Sequence, residues 1–397
     1  MSVRNSIQDM ADEITGYRRA MHENPQTAYE EEFASALVKE QLDAWGISYE
    51  DGIAVTGVVA RIDGETNDSG RSIGLRADMD ALDILEDENK PHVSKIKGKM
   101  HGCGHDGHTA MLLGAAKYLS ENRNFDGSVY LIFQPAEEGA GGAHKMIAEK
   151  LFERFPMDEV YGLHNWPKMP LGSVGVKSGA IMAAAERFDI KITGKGGHAA
   201  MPQNCVDPIV IGSQIVQALQ TLVSRTSNPV DPVVISITNF NAGTGAFNVI
   251  PDGAHLSGTL RAFDPNTRSQ MIQRIKDVTA DTAALFGAKG ECVFMEGGYD
   301  PTINTPDETK YCIKVAEDLL GAGNVDTGIE PSMGAEDFGA MLQEKPGCYI
   351  WMGQGEEDET SMHNQGLHTP AYDFNDAILP LGIEYWVRLV EDRLAVS

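Results

Sequence analysis

The chain has 397 residues, of which 42% are hydrophobic, 23% charged and 7% aromatic, and its formal net charge is -26. That length exceeds what one core usually organises, so two domains are expected, and the composition excludes fibrous and disordered classes. The negative balance excludes a nucleic-acid partner, which calls for a basic surface that displaces counterions from phosphates. Five widely spaced cysteines (Cys103, Cys205, Cys292, Cys312 and Cys348) form no C-x-x-C, which fits a reducing compartment better than a disulfide framework. With neither a signal-peptide core at the start nor a run of about 18 apolar residues anywhere, the expectation is a cytoplasmic protein without a membrane partner.

In chain order, Ile7, Met10, Ile14, Tyr17 and Met21 recur at helical spacing and predict an amphipathic opening helix; a second is predicted over 31–45, stopping at Gly46. Short apolar strands are predicted at 72–77, 128–133 and 159–163. Each delivers polar groups at its C-terminal end: Asp78 and Asp80, then Glu137 and Glu138, then His164. In open α/β sheets that edge is where ligands bind. The apolar segment 109–119 predicts a buried helix between the first two strands, as a parallel pair requires. From Glu186 the pattern changes to a strand over 187–193, a helix over 206–226, strands over 232–240 and 255–263, a helix over 267–286 and a strand over 291–295. This β-α-β-β-α-β order is the ferredoxin-like split unit. The expected fold class is therefore α/β. A catalytic domain with a mostly parallel sheet flanked by helices spans 1–183 and 297–397, and an inserted ferredoxin-like α+β satellite domain spans 184–296. The returning part is predicted to hold helices over 308–320 and 329–342, a strand over 348–352 and a final helix over 376–394.

The densest chemical cluster is His101-Gly-Cys103-Gly-His105-Asp106-Gly-His108. Cys103 and His105 stand two apart, so in an extended loop both point one way and suit one metal centre, while the glycines let the loop close around an ion. Asp106 has the competing reading of a helix cap. The same stretch matches G-x-G-x-x-G, but no strand precedes it and its bulky side chains would crowd a pyrophosphate, so dinucleotide binding is rejected. Of the adjacent carboxylates Glu137 and Glu138, one can ligate a metal while the other takes a proton from water. His164 alone reads as a core histidine and gains weight from its strand end. His363 and His368 compete for the last place, and the residues alone do not choose. A thiolate, imidazoles and a carboxylate suit zinc, cobalt or manganese rather than calcium or magnesium, and five ligands imply two ions.

Eight ordered stretches together resemble the M20 metallopeptidase family, in the amidohydrolase branch that holds hippurate hydrolases, N-acyl-amino-acid amidohydrolases and plant auxin-conjugate hydrolases. They are Arg76-Ala-Asp-Met-Asp-Ala-Leu82, Met100-His-Gly-Cys-Gly-His-Asp-Gly-His-Thr109, Phe133-Gln-Pro-Ala-Glu-Glu138, Gly162-Leu-His164, Gly196-Gly-His-Ala-Ala200, Asn248-Val-Ile-Pro251, Gly334-Ala-Glu-Asp-Phe338 and Leu367-His368. The resemblance implies a metal-dependent hydrolase that splits an N-acyl amino acid into a carboxylic acid and a free amino acid. It implies that Cys103 bridges two divalent ions, that His105, Glu138, His164 and His368 complete the ligands, and that Glu137 is the general base. It further implies a homodimer, or a higher homo-oligomer, joined through the satellite domain, with His198 reaching the partner's site to stabilise an oxyanion. From the residues alone, His198 belongs to the inserted domain and reaches the metals only by domain closure or from a second subunit. Asn248 is expected as a further substrate contact and Arg261 as a partner for a substrate carboxylate, while Asp78 and Glu336 are expected to orient the ligands. Two positions depart from the family's usual residues: Asp83 replaces proline, and Gln26 replaces glutamate. The runner-up activity is a dipeptidase or carboxypeptidase of the same family. A serine hydrolase fails because Gly70-Arg-Ser72-Ile-Gly74 precedes a strand instead of following one. A zinc deaminase lacks its P-C-x-x-C, and a silent metal-binding scaffold has no need of Glu137.

Overall fold

A computed structural model describes residues 3–396, which divide into two compact units. The first comprises 3–181, 303–330 and 337–396; the second comprises 182–302 together with 331–336. The excursion 331–336 has no counterpart in the sequence reading.

The first unit opens with helices α1 (Asn5–Asp9), α2 (Ala11–Glu23) and α3 (Glu32–Ala44), the predicted opening helix being interrupted at Met10. A hairpin follows, β1 (Ser48–Ile53) and β2 (Gly57–Asp63). The sequence reading did not foresee it, because β1 is mostly exposed and carries Glu50, Asp51 and Gly52 where an apolar alternation is expected. Strand β3 (Ser72–Asp78), helix α4 (His105–Glu121), strand β4 (Ser128–Gln134), strand β5 (Glu159–Pro170) and the short β6 (Val174–Gly175) complete this first stretch. Strands β3 and β4 are buried along their whole length, as central parallel strands covered on both faces must be.

In the second unit the order is β7 (Ala184–Thr193), α5 (Pro208–Thr221), β8 (Val233–Ala242), β9 (Gly253–Ala262), α6 (Pro265–Leu285) and β10 (Lys289–Phe294). Its antiparallel sheet runs β8-β9-β7-β10, the ferredoxin-like arrangement. Strand β7 alternates between buried and accessible positions because helices cover one face only; Phe188, Ile190 and Ile192 meet Ile211, Ile215 and Ile275 there.

The chain returns through α7 (Pro306–Leu320), β11 (Val325–Asp326), α8 (Phe338–Glu344), β12 (Gly347–Gly355) and α9 (Leu379–Arg393). Helix α8 corrects the predicted helix over 329–342. Pro331 and Gly334 interrupt the start of that segment, and the Ser332 hydroxyl accepts from the Gly334 amide at 2.9 Å to make a turn, so helix begins only at Phe338. Among the described residues the large sheet has eight strands in the order β1-β2-β4-β3-β5-β12-β6-β11. Its centre, β4-β3-β5-β12, is parallel, while β1, β2 and β6 make antiparallel pairs. Helix α4 is the crossover between β3 and β4, and its Met111, Leu112 and Ala115 join the core with Ile383 and Trp386 of α9. Asp78, Gln134 and His164 thus arrive at or near one end of a parallel sheet. Among the described residues no helix is long and apolar enough to cross a membrane.

Candidate metal centre

The loop that precedes α4 is shaped by glycine. Gly104 has φ +92°, and a Cβ there would lie 2.3 Å from Asn165 Oδ1; a Cβ on Gly107 would lie 2.1 Å from the Phe374 ring. The loop therefore packs directly on β5 and on the 372–376 segment, which places Cys103 Sγ 3.4 Å from His164 Nε2. His368 reaches the same sulfur at 3.3 Å from Nε2. It adopts φ +63°, and its backbone amide donates to the Gly102 carbonyl at 2.8 Å, so chain-distant segments are stitched together at the metal loop. His363 lies elsewhere, its Nδ1 3.2 Å from the Asp373 carbonyl. Of the two histidines, His368 is the one that lies beside Cys103.

Two donor triads result, each with ligand atoms within 4.8 Å of one another: Cys103 with His105 and His164, and Cys103 with Glu138 and His368. Cys103 is common to both. Glu137, Glu138 and His105 form a further group of the same kind, so the second carboxylate of the pair stands against the triads. The Glu137–Glu138 turn is set by Ala136, at φ +57°, whose amide donates to Glu31 Oε1 at 2.9 Å, and by the Glu138 amide, which donates to Asp80 Oδ2 at 2.8 Å. Glu137 Oε1 accepts from the Asp337 amide at 3.4 Å.

Further residues orient this set. Asp80 Oδ1 lies 3.1 Å from His105 Nδ1, so it is Asp80 that takes the outer nitrogen of this ring. Asp78 instead lies 2.6 Å from His108 Nδ1 and accepts from Arg76 at 2.8 Å, with His105 Nε2 at 3.6 Å. Asp337 accepts from Arg76 at 3.0 Å and from Gln134 at 2.7 Å. Sequence reasoning passed over Glu31, gave Asp80 no role beyond a polar group at a strand end, and passed over Asp337. The alternation Asp78-Met-Asp80 was a signal for the second, since it turns two carboxylates to one side. Glu336, expected to orient ligands, belongs to the second unit, where it is buried and its carbonyl accepts from Thr302 at 3.3 Å. His198, Asn248 and Arg261 belong to that unit as well. His198 pairs with Val249 in a short ladder, and the Asn248 carbonyl accepts from the Ala199 amide at 3.0 Å, so these two candidates are neighbours. Arg261 is held by Thr259 and the Leu260 carbonyl.

The donors fit divalent ions. His105 Nε2 is buried with no hydrogen-bond partner and faces Asp78 and Glu138 at 3.6 and 4.0 Å, beyond hydrogen-bond reach. Burial pulls this imidazole down, but Asp78, Asp80 and Glu138 reverse that and push it up to about 10, which measures how strongly the position favours positive charge. Burial holds the His164 imidazole well below its ordinary range, leaving it neutral as a ligand must be. Cys103 is pushed up by burial and by Glu138 and Glu137, a thiol that needs a cation to ionise.

The sequence model of peptidase family M20/M25/M40 matches residues 74–392. The chain is 42% identical over 379 residues to the IAA-amino acid hydrolase ILR1-like 2 of Arabidopsis thaliana, covering 94% of this chain and 83% of that protein. It is 38% identical over 393 residues to the hippurate hydrolase of Campylobacter jejuni, covering 98% of each. Its fold matches the crystal structure of a dinuclear metal-binding M20 peptidase from Bacillus subtilis with a TM-score of 0.83 at 33% identity, covering 98% of this chain and 99% of that one. Paired donor triads on a parallel sheet and this breadth of similarity lead to one assignment: the chain belongs to peptidase family M20/M25/M40, in its amidohydrolase branch, and is a metal-dependent hydrolase of amide bonds.

Proposed function

We propose that the protein hydrolyses the amide bond of N-acyl amino acids, hippurate-like conjugates included, to a carboxylic acid and a free amino acid. The observation that carries this reading is the sharing of Cys103 by two donor triads with Glu137 beside them. Relatives named for hydrolysis of amino acid conjugates and of hippurate support the substrate class. Cys103, His105 and His164 would hold one divalent ion and Cys103, Glu138 and His368 a second, of zinc, manganese or cobalt. When bound, such ions lower the pKa of water and polarise the acyl oxygen.

The chain supplies the rest. Glu137 accepts the proton of the attacking water on its carboxylate and returns it to the amine nitrogen as the amide bond breaks. Asp80 at His105 Nδ1 and the Asn165 carbonyl, 2.7 Å from His164 Nδ1, fix both rings with Nε2 turned inward. Asp78 and Glu336 are assigned to orienting roles around the ligands. His198 is assigned to the oxyanion, supplied across a homodimer joined through the second unit. Its Nδ1 accepts from the Ala200 amide at 3.1 Å, which leaves Nε2 as the protonated nitrogen and hence a donor. Asn248 is assigned to the substrate beside it, and Arg261 to a substrate carboxylate.

The test is turnover of benzoylglycine, N-acetyl amino acids and dipeptides before and after chelation, with ions added back. Cleavage of the acylated amino acids that vanishes on chelation is expected; cleavage of dipeptides alone replaces this reading with a dipeptidase or carboxypeptidase. Glu137→Gln is expected to keep its metal and to lose roughly 100- to 10,000-fold in kcat. Undiminished turnover in that variant removes Glu137 from its role.

A further inference from the structure

Trp166 stands two residues beyond His164 on β5 and therefore on the same face of the sheet. Trp351, on β12, is in register with His164, and its ring lies against Trp166 with centroids 3.9 Å apart and planes 8° from parallel. The two indoles are accessible to different degrees. Trp351 is buried, with a buried Nε1 that makes no hydrogen bond, whereas Trp166 is partly exposed. Near-parallel stacking in van der Waals contact is, when offset, an arrangement aromatic rings favour, so the buried Trp351 ring sets the plane of the partly exposed Trp166. The surroundings thus hold the pair as a fixed, flat, apolar step. That step adjoins the candidate metal centre, for the Trp166 ring meets His164 edge-on, 6.0 Å between centroids and 77° between planes. Proton transfer at Glu137 and ligation by the two triads require nothing aromatic at this position.

We propose that Trp166, backed by Trp351, is the surface on which a planar aromatic acyl group rests, so that this pair makes the enzyme prefer aromatic over small aliphatic N-acyl amino acids. The inference rests on the function proposed above and names which half of the substrate the aromatic step reads. An aromatic ring bonded directly to the acyl carbon reaches the indole when that carbon stands beside His164. Stacking distinguishes a flat ring from a methyl group, which offers no face.

The test compares wild type, Trp166→Leu and Trp166→Tyr on benzoylglycine, N-acetylglycine and N-acetylphenylalanine, with metal content measured in each. In Trp166→Leu the ratio of kcat/KM for benzoylglycine over N-acetylglycine is expected to fall about tenfold, mostly through KM, and in Trp166→Tyr to stay within about threefold of wild type. An unchanged ratio overturns the proposal, as does a parallel fall on every substrate together with lost metal, which would make Trp166 a prop for His164. A loss that follows the phenylalanine side chain instead of the benzoyl group also overturns it. If wild type cleaves none of the amides, the proposed function falls, and the step is then judged by calorimetric titration with benzoate. Binding about tenfold tighter to wild type than to Trp166→Leu supports it, and equal affinities overturn it.

Discussion

In the first unit, Cys103, His105 and His164 are buried side chains on backbone locked by glycine contacts, strand register and the bond from His368 to Gly102. In the second, His198 is exposed, sits in a strand of two residues and is tied only to its immediate neighbourhood. Groups that share ions need positions good to a fraction of an ångström, so their supports must be over-determined. If His198 donates to the oxyanion as proposed, it needs a fixed tautomer more than a buried seat, and the Ala200 amide supplies that. The contrast also extends behind the metal loop. Arg18 of α2, fully buried, faces Asp106 at 3.3 Å, Asp373 at 3.5 Å and Asp376 at 2.8 Å, and His22 lies 2.8 Å from both Asp106 and Glu86. One cation therefore joins the start of α4 to the segment that follows His368.

The largest effect is expected from removing that cation. Arg18→Met removes the cation common to Asp106, Asp373 and Asp376, which keep His22, His92 with Lys90, and Arg19 respectively, and should cost about 3–5 kcal/mol of stability, measured by urea denaturation at fixed metal content. A loss below about 1 kcal/mol means the segments are held without it, and the over-determination argued above would be illusory.

His198→Ala is expected to do the opposite. As an exposed side chain it should change stability by no more than about 0.5 kcal/mol, while kcat falls roughly 100- to 1,000-fold if its Nε2 donates to the oxyanion. Destabilisation matching that of Arg18→Met would erase the distinction between the two units, and unchanged kcat would free His198 from catalysis.

The same contrast explains what was legible in the sequence. The core strands and α4 announce themselves because buried runs and helical spacing are local signals; Cys103, His105 and Glu138 stand at or beside the ends of such elements, while His164 lies within β5, which runs on past the predicted strand. From the residues alone nothing favours His368 over His363, because the backbone bond that brings His368 to Gly102 spans 266 residues of sequence, which no local pattern encodes. Arg18 carries no local sign of its role: it is wholly buried, since its partners come from α4 and from near the C-terminus. Asp337 was passed over for its neighbour Glu336 because adjacent carboxylates look alike until Arg76 and Gln134 select one. Strand β1 of the hairpin escaped notice for the converse reason: an exposed edge strand has little hydrophobic pattern to show.

The smallest effect, and the one that samples the charged wall without dismantling it, is its response to acid. Burial pushes the carboxyls of Asp373 and Glu86 up, but the cations facing them hold both below the ordinary range. These are His92, Arg18 and Lys90 for Asp373, and His22 and Lys90 for Glu86. A carboxyl whose folded pKa is depressed binds fewer protons folded than unfolded, so its contribution is complete above the unfolded value of about 4 and drains away as pH falls through the folded value. Unfolding free energy should therefore decline below about pH 5, each such group adding at most about 1.4 kcal/mol per pH unit to the slope. Asp373→Asn removes one group and should flatten the acid limb by up to that amount, whatever it does to stability at neutral pH. An acid limb equally steep in the variant would mean that Asp373 takes up its proton alike in both states, and the wall beneath the metal loop would then owe its acid sensitivity to other carboxylates.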